Sequence, residues 1–213
     1  VASTPIYTDN GWLLVYSHIQ NYYDEPRRIF GIEALLLDLE NPQEIIGKTH
    51  HPFLVPQESY ERYGLVQNIT FPSGALLTGD TLEVYYGAAD TVCALARLSF
   101  SDLHEAMIKD KRINFMKRQS EQPIIAPILD HPWEASAVFN TAAIDVGGSV
   151  HLLYRAMGAD NTSVLGYARL EDGINVDERL PEPVYVPREE YEQKKGTPTG
   201  NSGCEDPRIS LID

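Results

Sequence analysis

Near the C-terminus, Gly203-Cys204-Glu205-Asp206-Pro207-Arg208-Ile209 sets two adjacent carboxylates and a guanidinium around a proline. Protonation of a leaving oxygen needs a carboxylic acid held in a fixed orientation, often with a cation beside it. Proline fixes its own φ and biases the residue before it toward extended conformations. Asp206 is therefore expected to be extended at the mouth of a strand, with Ile209-Ser210-Leu211-Ile212 running into a sheet behind it. The competing reading of the same residues is a surface turn closed by an Asp–Arg ion pair.

The elements that must position such an acid are strands. Leu13-Leu14-Val15-Tyr16 and Ile32 to Leu39 are apolar runs. Two hairpins follow one plan: Gly74–Leu77, a Gly79-Asp80 turn and Leu82–Tyr86; then a Gly147-Gly148 turn and Val150–Tyr154, followed by Val164–Ala168. One helix is expected, Ser101 to Lys111, with Ser101 as its N-cap. Many short strands between Gly and Pro turns imply a sandwich, barrel or propeller. A repeat favours the propeller. Asn68 opens one strand–turn–strand unit that ends near Asp90 and Ala94–Ala96, and Asn140 opens a second that contains Arg155 and Gly166–Ala168. Asn68, Asp90, Asn140 and Arg155, at strand ends, would point into a central funnel. The competing reading leaves Asn68 and Asn140 as turn caps and Arg155 as a surface partner.

The 213 residues suffice for one good core or two small ones, and 43% hydrophobic with 23% charged content is ordinary for a globular chain. A formal net charge of −14 argues against nucleic acid or an anionic membrane as partner. No apolar run is long enough to span a bilayer, and no secretion signal is evident. Cys93 and Cys204 stand far apart, outside any ligand cluster, and read as free thiols of a reducing cytoplasm; His50-His51 reads as a loop pair. No metal is expected.

These motifs together resemble glycoside hydrolase family 130, the β-mannoside phosphorylases and β-mannosidases. The resemblance rests on Gly11-Trp12-Leu13-Leu14-Val15-Tyr16, Ala34–Leu39, Phe71-Pro72-Ser73-Gly74, Tyr85-Tyr86-Gly87-Ala88-Ala89-Asp90-Thr91, Trp133-Glu134, Val138-Phe139-Asn140, Leu152–Ala156, Leu165–Ala168 with Asp172-Gly173, and Gly203–Arg208. It implies an all-β chain of the five-bladed β-propeller type, incomplete or permuted here. Residues 1–105 match the family's C-terminal half, 106–121 form a helix and polar junction, and 122–213 match its N-terminal half. The middle of the family sequence is absent. A start at Val1 and an end inside an expected strand favour a fragment of a tandem protein, in which Asp90 would lie far from Asp206. The rival is a permuted propeller completed by a second chain.

Residue by residue, the resemblance makes Asp206 the proton donor, with the proton relayed through a sugar hydroxyl. It makes Asn140, Thr141, Arg155, Asp90 and Arg208 holders of the mannosyl unit. The family's phosphate-binding histidine falls at Ser17, with His18 one place on, and its tyrosine at Arg28 or Phe30. Glu33 takes the position of a small residue and would serve as the base that activates water in an inverting hydrolase, where the two carboxyls stand roughly 6.5–9.5 Å apart. The implied function is cleavage of a β-mannosidic or related β-glycosidic bond with inversion. The substrate would be an oligosaccharide, with no cofactor beyond inorganic phosphate as co-substrate in a phosphorylase. Self-association into a homo-oligomer stays open. The alternatives are a non-catalytic carbohydrate-binding propeller and an inactive fragment.

Overall fold

The structure, a computed structural model, describes residues 2–109, 111, 116–194 and 202–212. Three antiparallel sheets follow one another along the chain, each a meander of four strands. Sheet 1 holds β1 (Ile6–Thr8), β2 (Gly11–Gln20), β3 (Ile29–Leu37) and β4 (Ile45–Lys48). A four-residue helix α1 (Ser59–Arg62) leads into sheet 2: β5 (Thr70–Thr78), β6 (Thr81–Ala88) and β7 (Val92–Ser99), then helix α2 (Phe100–Lys109) and β8 (Lys117–Arg118). Sheet 3 holds β9 (Ala137–Val146), β10 (Ser149–Met157), β11 (Thr162–Leu170) and β12 (Val176–Arg179). The short β13 (Ser202–Gly203) adds to β11 in parallel. Among the described residues no helix is long and apolar enough to cross a membrane.

Sheet 2 is apolar on both faces, and this decides the packing. Val84 and Tyr86 of β6 join Leu13, Val15, Ile32 and Leu36 of sheet 1 in one core, whereas Tyr85, from the opposite face, joins Leu152, Tyr154 and Ala168 of sheet 3 in another. A strand buried on both sides reads as a continuous apolar run, as Leu82-Glu83-Val84-Tyr85-Tyr86 nearly does. The two halves of the chain therefore pack against each other through sheet 2.

Two further expectations change. The junction 106–121 is not only a linker. Met116 is buried in the first core, and Arg118 and Lys117 pair with Ala96 and Arg97 as the fourth strand of sheet 2. Asp110 and residues 112–115 of that junction lie outside the described residues. Helix α2 is capped by Ser99, not Ser101: the Ser99 hydroxyl accepts from the Asp102 N–H at 3.1 Å, while Asp80 accepts from the Ser101 N–H and hydroxyl at 2.8 and 2.6 Å.

A second repeat escaped the sequence reading. A Pro-x-x-x-Pro segment and a glutamate follow the last strand of each sheet: Pro52–Pro56 with Glu61, Pro123–Pro127 with Glu134, Pro183–Pro187 with Glu192. Each segment makes one isolated bridge to the third strand of the preceding sheet, at Ile32–Leu54, Cys93–Ile125 and Leu165–Tyr185. Glu61 and Glu134 are fully buried. Each is saturated by a tyrosine from the second strand and an arginine from the fourth strand of the sheet that follows. Tyr86 donates to Glu61 Oε1 at 2.7 Å, and Arg118 grips both carboxylate oxygens at 2.7 Å. Tyr154 donates to Glu134 at 3.0 Å, Arg179 pairs with it, and His131 Nδ1 lies 2.7 Å from its other oxygen. A buried carboxylate is tolerated only when paired and hydrogen-bonded in this way.

Candidate active site

Strand ends bring four of the expected residues into one cluster. Asp90 lies in the β6–β7 turn, where Ala89 and Asp90 both take positive φ (46° and 50°), as in hairpin turns whose twist matches the strands. Asn140 lies on β9 at a bulge: Phe139 faces Arg155 and Ala142 faces Leu153, so two β9 residues oppose the single residue Tyr154. Bulges re-aim side chains. Here Asn140 (φ 53°) turns its amide toward Asp206, and Nδ2 donates to Asp206 Oδ1 at 2.8 Å. The approach is close, and Gly87 permits it: a Cβ on Gly87 would lie 2.6 Å from Asn140 Oδ1.

Arg155 is the centre of the cluster. It is 6% exposed and stacks over Phe139 at 4.7 Å. Its Nε donates to Ser163 Oγ at 2.9 Å, Nη2 lies 3.0 Å from Glu205, and Nη1 lies 3.4 Å from Asp206 Oδ1. One guanidinium thus clamps both carboxylates of the motif. Gly203 carries the motif into place. With φ at 92°, it approaches β11 so closely that a Cβ would sit 2.1 Å from the Ser163 carbonyl oxygen.

Asp206 corrects the expectation of an extended residue before proline. Its φ is +50°. Such a conformation costs about 1–3 kcal/mol and persists only where the surroundings enforce it. Asn140 and Arg155 hold the side chain, and Arg208 Nη1 donates to the Asp206 and Pro207 carbonyls at 3.1 and 2.8 Å. The expected strand behind it is absent: residues 209–212 pair with no sheet, and Leu211 and Ile212 are exposed. Asn68, Asn140 and Asp206 share a positive φ (57°, 53° and 50°), each a short way beyond one of the repeated glutamates. The sequence repeat had shown the first two only.

Asp90 completes the electrostatics. Burial first, then the Asp206 charge, push its carboxyl from 3.8 up to about 6, with Arg155 opposing. Raised above the unfolded value, this group favours the folded state below pH 3.8, and that contribution is lost as the pH rises through 6. Asp90→Asn is therefore expected to raise the stability above about pH 7, by at most on the order of 3 kcal/mol and with a higher melting temperature, and to give no gain near pH 4. The same variant should bind sugar less tightly. Melts at the two pH values check this, and an equal shift at both would show that Asp90 is not held against its charge.

A family model described as beta-1,4-mannooligosaccharide phosphorylase matches residues 1–109 and 108–213. The chain belongs to that family, glycoside hydrolase family 130. It is 35% identical over 103 residues to a 1,2-beta-oligomannan phosphorylase of Thermoanaerobacter, covering 48% of this chain and 33% of the relative. It is 38% identical over 108 residues to a beta-1,2-mannobiose phosphorylase of Listeria innocua, covering 50% and 29%. Each match spans about a third of the curated relative's length. In fold, the chain is similar to a thermostable family-43 glycoside hydrolase, with a TM-score of 0.57 at 15% identity over 88% of this chain and 60% of that one.

Not every candidate of this family-130 chain joins the cluster. Thr141, next to Asn140, points the other way: it is fully buried and donates to Cys93 Sγ between sheets 2 and 3. The bulge that aims Asn140 at the acid turns its neighbour into the core, so Thr141 is not placed to hold sugar. Arg208 spends its donors on backbone, with Nε on the Ala2 carbonyl at 2.9 Å, and so pins the Asp206 loop to the first strand region of sheet 1. Its Nε and Nη1 thereby brace the backbone that carries Asp206.

Glu33 and His18 line a second cleft of about 310 Å³ with Tyr16, Gln20, Lys48, Thr49, His50, His51 and Pro52. None of the acid cluster lines it. Glu33 is buried, accepts from the Tyr16 hydroxyl at 2.6 Å and lies 3.6 Å from His18 Nδ1. Burial and Glu33 push that hydroxyl upward, so it stays a donor. Of the residues that shape the cluster around Arg155, Ser163 went unnoticed in the sequence, and Phe139 and Glu205 entered only as parts of motifs, without a role beside Arg155. The Glu205 position beside Asp206 was the only local signal for any of them.

Proposed function

We propose that this chain cleaves a β-mannosidic bond with inversion, with Asp206 as the general acid. The observation that carries the reading is the joining of Asp206 to Asn140, Arg155 and Asp90, residues of three different strands or turns, in a chain of a family described by phosphorolysis of mannosides. Asp206 Oδ1 takes the contacts from Asn140 and Arg155, which leaves Oδ2 to present a proton, directly or through a sugar hydroxyl, to the leaving oxygen. Three carboxylates, Asp90, Glu205 and Asp206, around one arginine suit the positive charge that develops at the anomeric carbon. The C1–O bond breaks, the leaving oxygen takes the Asp206 proton, and an oxygen of inorganic phosphate bonds C1 from the opposite face. A β-mannoside so inverted yields α-mannosyl phosphate.

We read the three sheets as consecutive blades of a five-bladed ring, incomplete or permuted in this chain. The free thiols Cys93 and Cys204 support a reducing, cytoplasmic setting. Glu33 favours a second reading, hydrolysis, because a buried carboxylate in a polar cleft is suited to activate water. NMR of β-mannobiose incubated with the chain, with and without phosphate, separates the two. α-Mannosyl phosphate formed only with phosphate supports phosphorolysis. α-Mannose formed at a rate independent of phosphate supports hydrolysis with Glu33 as base. Binding without turnover would make this a carbohydrate-binding module and overturn both.

A further inference from the structure

The joint between sheets 1 and 2 is repeated between sheets 2 and 3, and each end of the row carries one half of it. The receiving half is a tyrosine of the second strand and a basic residue of the fourth. Tyr86 faces Ala94, and Arg118 faces Ala96 two residues on. Tyr154 faces Gly166, and Arg179 faces Ala168 two residues on. Sheet 1 repeats this register, with Tyr16 opposite Glu33 and Lys48 opposite Leu35. Tyr16 and Lys48 line the open cleft of about 310 Å³, and among the described residues Lys48 pairs with no carboxylate. On the same outer face, Trp12, Leu14 and Leu35 belong to neither core, whereas their counterparts Leu82, Val84 and Ala96 fill the first. The inserting half stands at the other end of the row. Glu192 follows Pro187 at the distance at which Glu61 follows Pro56. Its Oε2 accepts from the Arg188 and Glu189 N–H groups at 2.8 and 3.0 Å, as Glu61 Oε2 accepts from those of Gln57 and Glu58 at 2.6 and 3.0 Å. Among the described residues no cation pairs with Glu192. The apolar residues of its loop are uncovered. Val184 is 40% and Tyr191 79% exposed, whereas Phe53, the counterpart of Val184, is 1% exposed, and Tyr60, the counterpart of Tyr191, packs on the first core.

Each chain thus offers both halves of a joint that it closes twice within itself. In those two joints apolar sheet faces meet, and a carboxylate enters between a hydroxyl and a cation. We propose that a second copy of this chain docks head to tail: the Glu192 loop and the outer face of sheet 3 of one protomer lie against the outer face of sheet 1 of its partner, with Glu192 on Lys48. The two surfaces differ, so the contact is heterologous. Glu33 sets how the carboxylate is received. It stands where Ala94 and Gly166 stand in the other sheets, accepts from the Tyr16 hydroxyl at 2.6 Å and has His18 Nδ1 at 3.6 Å. The hydroxyl is therefore taken, and the incoming carboxylate falls to Lys48. The proposal does not rest on the reading of the acid cluster as a sugar site.

Sedimentation velocity over a range of concentrations tests this on the full chain, on Lys48→Glu, on Glu192→Lys and on an equimolar mixture of the two variants, with melting curves to confirm that each is folded. The unaltered chain should self-associate. Each variant alone should associate at least about 30-fold more weakly, because every joint then sets like charges together. The mixture should recover pairs, since an intact Glu192 of one variant there meets an intact Lys48 of the other. That recovery separates the joint from local damage to either surface. An unaltered chain that stays monomeric overturns the proposal and assigns these faces to an occupant other than a copy of the chain. Association untouched by both charge reversals overturns it as well, and so does a mixture that stays monomeric.

Discussion

Asp206→Asn is expected to leave the fold and sugar binding in place and to lower turnover of an unactivated β-mannoside by a factor on the order of 10²–10⁴, the usual worth of general acid catalysis. The substitution keeps the shape of the side chain and one oxygen to accept from Asn140 and Arg155. It removes the transferable proton. An aryl mannoside with a good leaving group should lose much less, because its departure needs less protonation. The contrast between the two substrates is the decisive measurement. Equal losses would mean that Asp206 positions substrate and does not protonate it. Unchanged turnover of the unactivated substrate would remove Asp206 from the chemistry altogether. Arg155→Lys should behave differently and weaken binding of both substrates together, because a lysine cannot hold Glu205, Asp206 and Ser163 at once as the guanidinium does.

The largest expected effect on stability is at the repeated buried carboxylates. Arg179→Met leaves Glu134 fully buried beside Tyr154 and His131 without its cation. Breaking one partner of such a pair costs about 3–5 kcal/mol. For a chain of this size that is a fall of about 6–20 °C in melting temperature. The double variant Glu134→Leu with Arg179→Met should recover a good part of the loss, because the penalty comes from the uncompensated charge and not from missing attraction. The same pattern is expected for Glu61 with Arg118. Thermal melts of the two singles and the double form the cycle. A double variant as unstable as the sum of the singles would show that the pair contributes through packing of Arg179 on the Tyr154 ring, which lies 5.3 Å away.

The legible parts of this molecule were the local ones. The Gly79-Asp80 and Gly147-Gly148 turns and the apolar runs beside them placed β5, β6, β9 and β10, because hairpin geometry depends on residues within a few positions of each other. The motif around Asp206 singled that carboxylate out, since a carboxylate pair, a proline and an arginine are adjacent in the chain. The positions of Asn140, Arg155 and Asp90 were legible as polar interruptions of apolar strands, although nothing local said that they meet. The extended conformation assigned to Asp206 was overridden by contacts to residues far away in sequence, which outweigh the local bias of Pro207. That Asn140 meets Asp206 while Thr141 turns to Cys93 was not legible, because the bulge at these two residues fixes which of them faces the cluster.

The chain's own order of residue types thus determined an all-β architecture, the hairpins and the carboxylate pair Glu205-Asp206. Turn chemistry and period-two patterning act over a few residues and need no partner. Only the tertiary structure decided that the halves pack through a two-faced sheet 2. It also decided that Asp90, Asn140 and Arg155 converge on Asp206, that Glu33 and His18 share a polar cleft with Tyr16 and Lys48, and that Glu61 and Glu134 are buried and paired. These are matters of which strands lie side by side and in what register. That is set by burial of apolar surface summed over whole sheets, a quantity that no short stretch of the sequence contains.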